Sequence, residues 1–64
     1  MTWNEYLDEV IKEVEKGFSI LEATDNISEV RIYRTKLYHL MWAYPPYPDP
    51  QSRIDFLNSL KDKE

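Results

Sequence analysis

Residues 27–50 read ISEVRIYRTKLYHLMWAYPPYPDP, and the fold turns on how this stretch divides. Ile27, Val30, Tyr33, Leu37, Leu40, Met41 and Tyr44 recur at three- and four-residue intervals, the spacing that lines one face of an α-helix. Tyr38 and Trp42 stand one turn apart on another side of that helix. Pro45 and Pro46 end it, because a proline ring clashes with the preceding turn and offers no N–H. The spacing therefore predicts a helix over 27–43, then a proline- and tyrosine-rich linker over 44–49 in extended polyproline II form. Asp49-Pro50 restarts a helix, with a capping carboxylate followed by proline at the first helical position. That third helix runs over 50–60, with Ile54, Leu57 and Leu60 on one face.

Upstream, Thr2-Trp3-Asn4-Glu5 has the form of a capping box, in which hydroxyl and carboxylate each accept a backbone N–H at a helix start. Trp3, Tyr6, Leu7, Val10, Ile11 and Val14 follow in helical phase, and Phe18 and Leu21 extend it past Gly17, the single glycine. Gly17 after Lys16 has the form of a helix end, yet an interior glycine costs only about 1 kcal/mol relative to alanine. The continuing phase favours one helix over 3–23, bent or broken at Gly17. Thr24-Asp25-Asn26 reads as the turn into the second helix, with Asn26 or Ser28 as its cap. So short a link makes the first two helices antiparallel neighbours. The fold class is all-α: a single small domain over 1–64, made of a helical hairpin and a short C-terminal helix.

Sixty-four residues without cysteine allow neither disulfides nor a thiolate metal site. A chain this short buries only about 60% of its unfolded surface. The apolar stripes are wider than three short helices can cover, which predicts a dimer or larger bundle. The net charge of −4 is unevenly spread: residues 1–26 balance at −5, residues 27–48 at +2, and residues 49–64 at −1. An acidic first helix and a basic second one attract within a protomer or between two, and in the dimer they would set Glu9 or Glu13 against Arg31 or Arg34. Overall acidity disfavours nucleic acid as a partner. No apolar run approaches the roughly 18 residues of a membrane span, and the polar start does not resemble a signal peptide. Membrane association is not expected, and the default location is cytoplasmic.

Chemistry-bearing residues are few. Glu5, Glu9 and Glu13 stack four apart on one helix face, a pattern that would serve a Mg²⁺-dependent nucleotide pyrophosphohydrolase or an acidic inhibitor mimicking nucleic acid. The simpler reading is a solvated acidic face. His39 stands alone, with no hydroxyl nucleophile set in a hydrolase context. One glycine cannot form a phosphate-binding loop. No catalytic residue, metal or cofactor is expected. The outer side of the second helix and the linker mix arginine with aromatic rings, the composition of protein–protein hot spots. Arg31, Arg34, Tyr38, Trp42, Tyr44 and Tyr47 are the candidate protein-binding residues. Pro45 and Pro48 also make a P-x-x-P, but without a close basic flank.

Leu21-Glu22-Ala23-Thr24-Asp25, Tyr33-Arg34-Thr35-Lys36-Leu37 and Tyr47-Pro48-Asp49-Pro50 resemble the C-terminal part of phage tail-fibre assembly chaperones. Those proteins show a Leu-x-x-Thr-Asp segment, a Tyr-Arg-x-x-Leu helix and a Tyr-Pro or proline-rich stretch. Asn26 stands where the family has tryptophan, and a helix follows where the family ends in a Trp-Pro run. The resemblance covers residues 21–50 and implies a small, non-enzymatic protein that holds a structural partner during assembly. Residues and resemblance thus lead to the same expectation, an oligomeric interaction or assembly module.

Overall fold

The computed structural model describes residues 1–42 and 49–62. Within them the chain is all-α, as expected, but with four helices: α1 (Trp3–Glu15), α2 (Ile20–Asn26), α3 (Arg31–Trp42) and α4 (Pro50–Ser59). The expected linker falls on 43–48, outside the described residues.

α1 opens on the capping box that the sequence announces. The Thr2 hydroxyl accepts from the Glu5 N–H at 3.2 Å, and the Glu5 carboxylate accepts from the Thr2 N–H at 3.1 Å. Its end corrects the expected helix over 3–23. Gly17 takes φ +106°, a left-handed conformation that side chains rarely adopt, and open space surrounds the position where a Cβ would stand. The requirement for glycine is therefore conformational rather than steric. The Gly17 N–H bonds the Val14 carbonyl at 3.0 Å and the Phe18 N–H bonds the Glu13 carbonyl at 3.2 Å. Those two bonds are the Schellman pattern, which satisfies the carbonyls a helix end leaves open. The apolar phase that seemed to run through Gly17 is interrupted, and Phe18 and Leu21 stay 37% and 45% exposed.

A second capping box starts α2. The Ser19 hydroxyl accepts from the Glu22 N–H at 3.2 Å, and the Glu22 carboxylate accepts from the Ser19 N–H at 2.8 Å. Thr24, Asp25 and Asn26, expected as a turn, are the last residues of this helix. Thr24 is buried, and its hydroxyl donates to the Ile20 carbonyl at 2.8 Å, so its hydrogen-bonding capacity supports the helix instead of breaking it. The turn comes later, with Ile27 as the C-cap of α2. The expected helix over 27–43 accordingly starts at Arg31, where the Val30 carbonyl accepts the Arg34 N–H at 3.0 Å. The start of α4 is as read, with the Asp49 carboxylate accepting from the Ser52 N–H at 3.0 Å and Pro50 in the first turn.

The core is one cluster, built from Trp3, Tyr6, Leu7, Val10 and Val14 of α1, Ile20 and Ala23 of α2, Ile27, Leu37 of α3, and Phe56 and Leu57 of α4. Val30, Tyr33, Leu40, Met41, Ile54 and Leu60 pack against it, half-buried. α1 is the central element, packed against α4 and α2. Its start is joined to the end of α4: the Trp3 indole N–H donates to the Leu60 carbonyl at 2.9 Å, Asn4 brackets Asp62, and Lys61 pairs with Asp8. α2, α3 and α4 thus all contribute buried side chains to the cluster built on the α1 stripe.

Three exposed carboxylates hold helix starts, and each is shifted below its ordinary range. Glu5 and Glu22 are lowered first by the backbone N–H groups of Thr2 and Ser19, and Asp49 is lowered first by the Ser52 side chain and then its N–H. A carboxylate with a depressed folded-state pKa adds stability above its unfolded value, and loses it as pH falls through the folded one. The ordinary values are 4.5 for Glu and 3.8 for Asp. The melting temperature should therefore hold from neutrality to about pH 5 and decline below it. Asp49→Asn keeps a capping acceptor but cannot be protonated in this range, so its decline should be shallower. Equal slopes for the two proteins, by circular dichroism melts, would mean that Asp49 does not cap α4 in solution.

Candidate protein interface

The expected binding residues cluster on α3, with two of them placed differently from the reading of a free basic surface. Arg34 is half-buried and ion-paired with Asp25 at the end of α2. Its guanidinium carbon also lies 5.7 Å from the centroid of the Tyr38 ring. Tyr38 first, and the Asp25 charge less strongly, push the Arg34 guanidinium above its ordinary value. Arg34 thus ties α3 to α2, with Tyr38 one turn on beside its guanidinium. The ion pair also joins the Thr-Asp and Tyr-Arg segments on which the chaperone resemblance rests.

Arg31 is exposed, and none of the described carboxylates pairs with it. Trp42 ends α3, and Tyr44 and Tyr47 lie outside the described residues. Lys36 is committed to the molecule's own aromatic cluster, its Nζ 4.2 Å from the Trp3 ring centroid.

The residue that the sequence reading passed over is Ile32. It is 83% exposed, the most exposed of the large hydrophobic side chains among the described residues. Next to it in sequence, Tyr33 points its hydroxyl to the Met1 carbonyl, donating at 3.0 Å, and Met1 is itself 58% exposed. An open concavity of about 410 Å³ is lined by Glu29, Val30, Arg31, Ile32 and Tyr33. Arg31, Ile32, Thr35, Lys36 and His39 are all exposed, which makes a continuous outer face along α3. The signal was in the sequence. Ile32 falls off the line through 27, 30, 33, 37 and 40, and an isoleucine out of phase with the core has to face elsewhere.

The acidic stripe is engaged locally. Glu5 serves the capping box, Glu9 pairs with Lys12 and Glu13 with Lys16, each at 3.2 Å and one turn away. Pairing of Glu9 or Glu13 with Arg31 or Arg34 is not found within the chain. Among the described residues, no three His, Asp or Glu side chains converge as metal ligands would. His39 is exposed on α3. The Tyr6 hydroxyl is fully buried and has no hydrogen bond of good geometry among the described residues. Burial raises the Tyr6 phenol above its ordinary value, and Thr24 offsets part of the effect. No described helix is long and apolar enough to cross a membrane.

Comparison with known proteins yields no match: no family model, no curated protein and no solved structure aligns with the chain.

Proposed function

We propose that this chain is a non-enzymatic protein-interaction module, a small helical scaffold that holds a partner during an assembly process. The observation that carries the reading is the outer face of α3, where Ile32 stands 83% exposed beside Arg31, which no described carboxylate pairs. Arginine beside exposed apolar surface is the composition that protein interfaces favour over the rest of a surface. Several described carboxylates have structural occupations: Glu5, Glu22 and Asp49 hold helix starts, while Glu9, Glu13 and Asp25 sit in ion pairs. Work of the kind implied by the tail-fibre chaperone resemblance fits such a molecule, since it asks for a docking face and no reacting groups.

The test is capture of proteins on immobilised folded chain, with the Leu37→Ala variant, expected to unfold, as the control bait. Proteins retained by the folded bait and not by the unfolded one support the module. Equal retention by both would overturn it.

Self-association is a second reading, favoured by Phe18 and Leu21, which remain exposed around the Gly17 turn. Apolar burial there, at about 25 cal/mol per Å², would be the driving term of a two-fold dimer. Sedimentation equilibrium at micromolar concentration decides it, and a single 7.7 kDa species with a concentration-independent melting temperature would exclude the dimer.

A further inference from the structure

Charge is distributed in a way that names the chemistry of the partner. α3 carries three of the eight Lys and Arg residues and none of the twelve Asp and Glu. Its exposed positions are Arg31, Ile32, Thr35, Lys36 and His39. Glu29 is exposed just before its start and Lys36 lies over the Trp3 ring, so the apolar anchor Ile32 stands beside Arg31 on a molecule of net charge −4. Arg34 belongs to the same helix but is neutralised by Asp25. Arg31 has no such partner among the described residues.

We infer that the outer face of α3 docks an acidic segment of another protein that presents apolar side chains to Ile32. The inference rests on the interaction reading above and deepens it by stating the class of partner. Electrostatics argues against the other occupants. Two copies meeting face to face through α3 would set Arg31 and Lys36 against their own like charges, which suppresses such pairing. A copy offering its acidic α1 instead would present Glu9, Glu13, Asp8 and Glu5, which Lys12, Lys16, Lys61 and the Thr2 cap already hold, beside the exposed Glu15. An acidic segment from a different chain meets neither objection. Ile32 would supply the desolvated centre, while Arg31 would supply the charge that steers and orients the segment.

The experiment is selection of short random peptides on the folded chain by surface display. The enriched peptides are then measured by fluorescence anisotropy against wild type, Ile32→Asp and Arg31→Glu. Both substitutions are at exposed positions, and unchanged melting curves would establish that the variants keep the fold. The expected result is enrichment of peptides combining Asp or Glu with large apolar residues. Their binding should weaken by at least about tenfold in each variant, and fall between about 50 and 500 mM salt. Enriched peptides without acidic residues would overturn the inference. So would binding indifferent to Ile32→Asp, which would leave the interaction module standing with its site elsewhere. A dimer abolished by Ile32→Asp would make a second copy the occupant. No enrichment at all, from a chain that also captures no protein, would remove the inference and the module together.

Discussion

Leu37→Ala is expected to lower the free energy of unfolding by about 2–5 kcal/mol, the range for truncating a buried leucine. Leu37 has no exposed surface and, among the described side chains of α3, is the one fully buried in the core. Its loss removes transfer free energy and leaves a cavity that the surrounding helices fill only in part. The size of the molecule makes that loss decisive. At roughly 0.05–0.15 kcal/mol per residue, a chain of 64 residues has only roughly 3–10 kcal/mol to lose. The variant should be largely unfolded at 37 °C, with a clearly lower urea midpoint at 25 °C. Ile32→Ala is the internal control on the same helix: at an exposed position the change should stay within about 0.5 kcal/mol. Equal effects from the two would mean that α3 is rotated about its axis, and would take away the docking face along with the core assignment.

That contrast shows which parts of the fold were legible in the sequence. Amphipathic periodicity reports which way a helix faces, and it placed Trp3, Tyr6, Leu7, Val10, Val14 and Leu37 inward, where all are buried. It does not report where a helix stops. Phe18 and Leu21 kept the three-and-four spacing by coincidence across Gly17, whereas the local chemistry at that point already spelled an end and a new start. Lys16-Gly17 fits a left-handed C-cap, and Ser19-x-x-Glu22 has the form of a capping box. Capping signals are short-range and physically specific, so they outweigh a periodicity that one accidental match can extend.

The opposite misreading occurred at Thr24-Asp25-Asn26. Residues that compete with backbone hydrogen bonds in isolation were read as a turn. In the fold, Thr24 is buried and its hydroxyl bonds back onto Ile20. Asp25 is held by Arg34 from α3. Both partners are set by packing, and residue type alone does not reveal them. The candidate interface was legible to the same degree. Arg31 could be seen as exposed and cationic, but the neutralisation of Arg34 by Asp25 is a tertiary contact between residues nine apart in the chain. The expected apolar stripe of the first helix ended at Val14, and the additional helix, α2, brought Ile20 and Ala23 into the core from a separate element.

Trp3→Ala carries the other large effect, because one side chain closes the molecule at its N-terminal end. Trp3 is only 6% exposed. Its ring stacks on Tyr6 at 5.8 Å between centroids with the planes 16° apart, and meets Tyr33 of α3 at 5.8 Å, tilted by 49°. Tyr6 and Tyr33 complete the triangle at 5.7 Å. Such ring pairs add about 0.5–1.5 kcal/mol each beyond the area they bury. The Lys36 ammonium lies over the indole, and the indole N–H reaches the Leu60 carbonyl just past α4. α1, α3 and the end of α4 are therefore all held by this residue. Truncation to alanine should cost about 3–5 kcal/mol. It should also release residues 60–62, seen as faster amide exchange at Asp62, whose N–H is bonded to the neighbouring Asn4. Trp3→Phe separates the contributions: most of the apolar area remains, the bond to Leu60 is lost, and the cost should be nearer 1 kcal/mol. A cost for Trp3→Ala below about 1 kcal/mol, with Asp62 exchange unchanged, would show that the first turn of α1 is not docked.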